Sequence, residues 1–447
     1  MYDVIENPRN GCLLHGELLT ISEMKGLVPI VHSNPGCGLH AYLSGSAGSI
    51  GNGYFYGENV PSTDSQERHI IFGGASRLRE QIKNTVKVID GRLYVVLNSC
   101  ESSMVGDDIE AMTKEAYEQG EAVICSINAG FHGDDHVGYS NIITDLLKKT
   151  ETIADTAAED EDDRPIVNVF GVIPHSSPSF RGDLEELKRI FSELGVRLNT
   201  FFNVEDALTQ LKRAHKAKLS ISFSKWGLSA AKYLKQKDGI EYLALHTLPL
   251  GYEELSELIK KVLDVLNISA DTEAIIEEEK KKYEYYYNSL SEEVFSAGLN
   301  GNYALVGDEE SVIRYGRFIS DHLGGKIAIA VVTDHYKDED SDKEYERETE
   351  EILAGLSDNI IRTKDGREIR RAILHSGAEV IIGSSLERST AAKLEIPLIE
   401  LTFPVYKKIF ANKTYIGVNG ALNIISDILN SFYENEGSRK ERLLNEL

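Results

Sequence analysis

The sequence predicts an α/β protein of three domains, each built on a mostly parallel sheet, and three observations predict it. Short β-branched or aromatic runs recur along the whole chain, and most lead into Gly, Ser, Asp or Pro. Helical patterns separate many of these runs, which is the rhythm of parallel sheets, whose neighbouring strands need a long crossover. Composition also breaks twice, and 447 residues are too many for one hydrophobic core.

Taken in order, the strand runs are "RHIIFGG", "RLYVVLNSC" and "EAVICSINAG", then "PIVNVFGVIPHS", "AKLSISFS" and "EYLALHTLPLG", then "YALVGD", "KIAIAVVTD", "AEVIIGSS" and "PLIELTFP". Gly73 and Gly74 fit a tight turn after the first run, and Asp107 and Asp108 fit helix N-caps. The acidic break "TAAEDEDDRP" (156–165) ends the first block, and the charged helix "TEAIIEEEKKKYEYYYNSL" closes the second. The expected domains are therefore 1–160, 161–300 and 301–447. In the third, Asp308 stands where an N-cap belongs, and Ser384 and Glu387 form a capping box after a strand. "YKDEDSDKEYERETEE" reads as a solvated loop and helix face, and "YEYYY" as helix packing.

A net charge of -24 argues against a nucleic-acid partner, since no basic stripe would meet the phosphates. No apolar run is long enough to span a bilayer, so no membrane association is expected. The opening "MYDVIENPRNGC" has neither a basic nor an apolar region, so a cytoplasmic location is expected. No G-x-x-x-x-G-K-S/T motif occurs, so the chain is not expected to hydrolyse ATP itself. "GSAGSIGNG" (45–53) lacks the preceding strand of a dinucleotide fingerprint and reads as a loop. Neither a G-x-S-x-G elbow nor a C-x-x-C pair is present, which leaves serine hydrolysis and zinc poorly supported.

What remains is the thiols. All four cysteines, Cys12, Cys37, Cys100 and Cys125, fall in the first domain, and reducing cytosol would keep them free. Cys125 lies inside an apolar strand run and reads as a structural thiol. The other three sit in "NGCLLHG", "SNPGCGLH" and "LNSCESS", among Gly, Pro, Asn and Ser, where backbone amides can approach a ligand closely. Cys100 stands at a strand's carboxyl end, where open α/β sheets bind ligands. Two readings are open on spacing alone: ordinary buried or loop thiols, or ligands of an iron–sulfur cluster. His15, His32 and His40 flank these loops, as solvated residues or as hydrogen-bond partners of the ligands.

The ordered set "NPRNGCLLHG", "HSNPGCGLH", "ERHIIFGGASRLREQI" and "LNSCESSMVGDDIEAM" resembles the first domain of nitrogenase component 1 proteins. The likeness covers about residues 7–140 and continues through "INAGFHGDDHVGYSNI". It implies three Rossmann-like domains. It also implies that Cys12, Cys37 and Cys100 hold one half of a P-cluster-type [8Fe-7S] iron–sulfur cluster shared with a partner, or a [4Fe-4S] cluster. Asp134, with Asp135 as its neighbour in register, matches a place where β-type subunits carry an oxygen ligand. Catalytic α-type subunits use a further mid-chain cysteine and a late histidine. This chain has no cysteine after Cys125, and its last histidine is His375, so the resemblance is to a β-like subunit.

The implied role is electron relay from an ATP-dependent iron protein to an α-like catalytic subunit, in an α2β2 assembly. The chain lacks the long N-terminal extension of the molybdenum-enzyme β subunit, which puts dinitrogen in doubt as substrate. Nitrogenase-like reductases of methylthio-alkanes or tetrapyrroles are alternatives, as is a scaffold for cofactor assembly. A ligand-binding α/β protein with no cluster is the remaining one.

Overall fold

A computed structural model describes residues 5–39, 60–151, 153, 162–174, 176–268, 272–334, 342–406 and 408–445. The glycine-rich run at 45–53, His40, and most of the two acidic stretches near 156–165 and 336–341 lie outside the described residues.

The first sheet is all parallel. Helix α1 (Leu13–Ser22) leads into β1 (Leu27–His32); α2 (Glu67–Phe72) and α3 (Ala75–Val88) precede β2 (Leu93–Asn98). Helices α4 (Cys100–Val105) and α5 (Ile109–Glu118) lead to β3 (Val123–Ser126), and α6 (Asp135–Thr150) follows. The strand order is β1-β2-β3. Leu78, Ile82 and Thr85 of α3, spaced a turn apart, are the residues it buries.

Two features depart from the sequence expectation. "RHIIFGG" is the helix α2, not a strand. Gln66 and His69 form a capping box at its start, and Gly73 ends it at φ 90°. Its apolar residues gain nothing from the sheet: Ile71 is 70% and Phe72 86% exposed. Conversely, "LVPIVH", absent from the strand runs read in the sequence, is a strand, and it carries Pro29, a residue that central strands avoid. Val31, two residues on and so facing the same way, sends its N–H outward to Pro61 O at 2.8 Å. The donor that Pro29 lacks therefore faces the outer edge of β1, where no ladder bond is lost.

The second sheet holds β4 (Ile166–Phe170), β5 (Arg197–Asn199), β6 (Leu219–Ser222) and β7 (Glu241–Ala244) in the order β5-β4-β6-β7. The third holds β8 (Asn302–Gly307), β9 (Lys326–Val332), β10 (Ile360–Arg362), β11 (Val380–Gly383) and β12 (Leu398–Glu400), ordered β10-β9-β8-β11-β12. All pairings are parallel. The chain is thus an α/β protein of three parallel sheets, the second and third of them doubly wound. The winding direction reverses beside β4 and beside β8, and such switch points open clefts at the strands' carboxyl ends.

Local signals hold where they were strongest. Asp308 caps the helix after β8, accepting from Ser311 N at 3.1 Å, and Ser384 and Glu387 form their box. Asp108 caps α5 by accepting from Ala111 N at 2.9 Å. In "YEYYY", Tyr283 packs between Tyr252 and Tyr287, while Tyr285 is 72% exposed.

Helices α1 and α6 cross closely enough to share backbone space. A Cβ on Gly16 would lie 1.9 Å from Asp135 O, and one on Gly138 would lie 2.2 Å from Leu13 O. Only glycine fits at either position. This contact fixes the loop before α1 against the loop before α6. The apolar core under α6 then runs on through Leu146 and Leu147 to Val167 and Phe170 of the second sheet.

Candidate functional site

Three cysteines meet at the carboxyl end of the first sheet. Cys12 is the residue before α1, in extended conformation, and is tied to α6 by a backbone bridge to Asp134 and by Leu13 N donating to Gly133 O at 3.0 Å. Cys100 is the first residue of α4, directly after Ser99, whose hydroxyl accepts from Ser102 N at 3.2 Å. Cys37 lies in the helical turn at 35–39 after β1, where Asn34 Oδ1 accepts from Gly36 N and Cys37 N.

Gly130 shows how close the sulfurs are. A Cβ placed on it would lie 3.1 Å from both Cys100 Sγ and Cys12 Sγ. The two sulfurs therefore stand no further apart than twice that distance, with only a glycine between them. Cys37 joins them electrostatically, since negative charge on Cys12 or Cys100 raises its thiol pKa. All four cysteines are free thiols. Cys125 is buried within β3, away from this group and beside Thr113, as a structural thiol should be.

Burial pushes the Cys12 and Cys37 thiols above their ordinary value. Opposing it at Cys12 are the backbone N–H groups of His15 and Leu14, which favour the thiolate. His15 itself is buried, with Nδ1 3.1 Å from Cys12 Sγ, so it is a partner of the thiol and not a solvated loop residue. His32 is likewise not solvated: it ends β1, fully buried, between Thr63 Oγ1 and Asp107 Oδ2. Asp107 also accepts from Gly74 N at 2.7 Å, and a Cβ on Gly74 would collide with that carboxylate at 2.5 Å. Gly74 and Asp107 thereby pin the turn between α2 and α3 beside the cysteines. The turn is tight, as expected, but it follows a helix.

Asp134 caps α6, accepting from His136 N and Val137 N, and pairs with Lys364 from the third unit. Asp135 clamps the Cys12 loop instead: its oxygens meet Gly11 N at 3.0 Å, Asn10 Nδ2 at 3.2 Å and His136 Nδ1 at 3.1 Å. Asp134, Asp135 and His136 bring ligand atoms within 4.8 Å of one another, and most are already hydrogen-bonded. Nothing in "GDDH" alone showed which aspartate would hold the loop.

These residues suit a sulfur-ligated metal cluster. Three thiols converge, glycine leaves room between two of them, and amides point at one sulfur. Cys12, Cys37 and Cys100 are the residues that would hold it. Three exposed apolar side chains belong to the neighbouring segments: Met104 of α4 is 81%, Phe72 at the end of α2 86% and Phe131, next to Gly130, 57% exposed.

The cleft at the two switch points is built differently. Lys225 and Trp226 after β6 meet Asp308 and Glu309 after β8 and Asp334 after β9. Trp226 Nε1 donates to Asp334 at 2.8 Å, and Lys225 Nζ lies 3.3 Å from Glu309 Oε2. Ser176 Oγ donates to Asp308 at 2.5 Å and also faces His136 Nε2. What remains is a cavity of about 10 Å³, the room of roughly one water. Among the described residues this cleft is filled with ion pairs and offers no thiol. Its residues lie far apart in sequence, which is why sequence reading missed them.

Fold and thiol group together define an α/β protein with a candidate metal-cluster site on its first sheet. The family model "Nitrogenase component 1 type Oxidoreductase" matches residues 12–433. The chain belongs to that family. The nitrogenase molybdenum-iron protein alpha chain of Methanosarcina barkeri is 28% identical over 61% of this chain and 51% of its own length. The beta chain from Methanothermobacter thermautotrophicus is 23% identical over 96% of this chain and 94% of its own. A solved structure of nitrogenase Cp1 superimposes with a TM-score of 0.78 at 19% identity, covering 97% of this chain and 94% of that one. Similar identities link the chain to a cofactor biosynthesis protein of Clostridium pasteurianum and to a light-independent protochlorophyllide reductase of Picosynechococcus. No helix among the described residues is long and apolar enough to cross a membrane.

Proposed function

We propose that this chain is the β-like subunit of a nitrogenase component 1-type reductase, with Cys12, Cys37 and Cys100 holding half of a P-cluster-type iron–sulfur cluster. The carrying observation is the meeting of Cys12 and Cys100 across Gly130 with Cys37 beside them. Bound there, the cluster supplies one-electron chemistry at low potential, tuned by hydrogen bonds to its sulfurs. The chain's own contribution is to fix the thiols on three helix starts, to exclude water behind them, and to present exposed apolar side chains to an α-like partner. An ATP-dependent iron protein is the expected electron donor, and two copies of each subunit the expected assembly. The lack of any cysteine after Cys125 supports a substrate-reducing metal held by the partner.

Iron and acid-labile sulfide per chain, on protein prepared without oxygen and with its partner, test this reading. We expect about four iron atoms per chain, half of an eight-iron cluster or one cubane, and their loss in Cys100→Ala. Iron-free wild-type protein would overturn it. A scaffold role is the second reading, supported by the cofactor biosynthesis relative. It predicts a cofactor handed to another protein and no substrate reduction when the cognate iron protein and ATP are added. Methylthio-alkanes and tetrapyrroles are the substrates to assay beside dinitrogen.

A further inference from the structure

Glu17 of α1 is fully buried five residues past Cys12, about 7.5 Å along the helix. Its Oε1 accepts from Ser126 Oγ at 2.8 Å and Asn128 Nδ2 at 2.9 Å, while Oε2 is buried with no partner. The same Ser126 hydroxyl stands 2.9 Å from Asp145 Oδ2 of α6. A hydroxyl carries one proton. If both carboxyls were ionised, Ser126 would serve one and turn a lone pair toward the other. Asn128 does not repair this: its two N–H groups already face three acceptors, Glu17, Ser126 at 2.8 Å and Asp145 at 3.4 Å. The geometry closes when the pair of carboxyls holds one proton.

That proton belongs on Glu17. Burial pushes its pKa up to about 8 against the pull of Asn128 and Ser126, with Asp145 raising it further and Lys149 lowering it. Asp145 and Lys149 are the charged groups that face it, both from α6; the end of β3 contributes the neutral Ser126 and Asn128. Asp145 is half-buried, and Lys149 reaches Cys125 O at 2.6 Å and stands 4.0 Å from Cys125 Sγ. A line of groups thus runs from the flank of the first unit, through Ser126, to a carboxyl five residues past Cys12 on α1. The loop at 127–130 joins the two places, since Asn128 binds Glu17 and Gly130 faces the Cys12 and Cys100 sulfurs.

We propose that Glu17, Ser126 and Asp145 form a proton-accepting array that, in protein whose Glu17 is ionised, takes up one proton when negative charge is added at the Cys12, Cys37 and Cys100 sulfurs, and releases it when that charge is withdrawn. The inference rests on reading those sulfurs as a cluster site. The electron comes from a low-potential one-electron donor. The proton comes from water and enters at Asp145. Ser126 then gives its own proton to Glu17 and receives one from Asp145, so one O–H bond breaks as another forms. Glu17 acts through the local field and is a positioning residue, not a ligand.

The test is an anaerobic potentiometric titration with dithionite, from about pH 6 to about pH 10, on the iron-loaded wild type and Glu17→Gln. One proton per electron moves the potential by up to about 59 mV for each tenfold change in proton activity. We expect such a slope over part of the range in the wild type and a flat response in Glu17→Gln. Reduced-minus-oxidised infrared spectra of wild-type protein carrying carboxyl-labelled glutamate, taken above about pH 8 where Glu17 is ionised before reduction, should show a protonated-acid band appear on reduction. A wild-type potential independent of pH, an unchanged slope in Glu17→Gln, or no labelled band would each overturn the inference. If Glu17→Gln does not fold, Asp145→Asn replaces it, with a reduced slope expected and an unchanged one contrary. Wild-type protein without iron would instead bring down the cluster reading, and this inference with it.

Discussion

Gly130 is the residue on which the thiol site turns. Alanine there would place a methyl 3.1 Å from two sulfurs without touching the core. Gly130→Ala should lose at least half of the bound iron while its melting temperature stays within a few degrees of wild type; iron analysis and calorimetry check this. Glu17 gives a second expectation, for stability. Unfolded, it ionises near 4.5; folded, it keeps its proton to about 8. Between those values the native state binds a proton that the unfolded chain has released, so stability falls as pH rises through that window and levels off above it. Glu17→Gln should remove that fall, on the order of a few kcal/mol, in urea titrations at pH 5 and pH 8.5. At this scale loops of Gly, Pro and Ser singled out the three cysteines, but left ordinary thiols and cluster ligands both open, and only the family resemblance favoured the second. Asp107, Asp135 and His32 were not, because their partners are settled only when β1, α3 and α6 are placed together.

Among elements, the α1–α6 crossing does most to position the site. Gly138→Ala would drive a methyl into a backbone carbonyl, which no rotamer change relieves. We expect a loss of about 3 kcal/mol or more, read by denaturant unfolding, with cluster content falling alongside because the Cys12 and Asp134 loops separate. Long apolar strands such as β2, β4 and β9 were readable from pattern. Strands β5 and β10, three residues each, are too short to carry a period. Strand β1, with Pro29 inside it, was not among the runs read, and composition does not say which side of a strand is open. The run in α2 misled in the opposite sense: its apolar residues face outward, where only another surface gives them a reason.

At the scale of the whole molecule, a buried polar cluster joins the second unit to the third. Asp183, on the helix after β4, is fully buried and receives Arg314 at 3.2 Å through two nitrogens, Ser179 Oγ at 2.8 Å, Thr414 Oγ1 at 3.0 Å and Tyr415 N at 2.6 Å. Removing one member of a buried pair strands the other's charge. Asp183→Asn should cost about 3–5 kcal/mol and loosen the second unit from the third, seen as a split thermal transition. The contacts to Arg314, Thr414 and Tyr415 were not legible in advance, because each joins residues more than a hundred positions apart.

The longest such contact bears on when the site can form. Arg9 is buried against Glu387, 378 residues later, and Cys12 follows three residues after Arg9. A ribosome adds roughly 5–20 residues per second, so about 20–80 s pass between the emergence of these two partners. Through that interval the segment leading to Cys12 lacks its buried anchor, so the proposed cluster would be loaded onto its thiols after synthesis is complete. A nascent chain stalled before β11 should leave the residues ahead of α1 open to protease, and release of the full chain should close them.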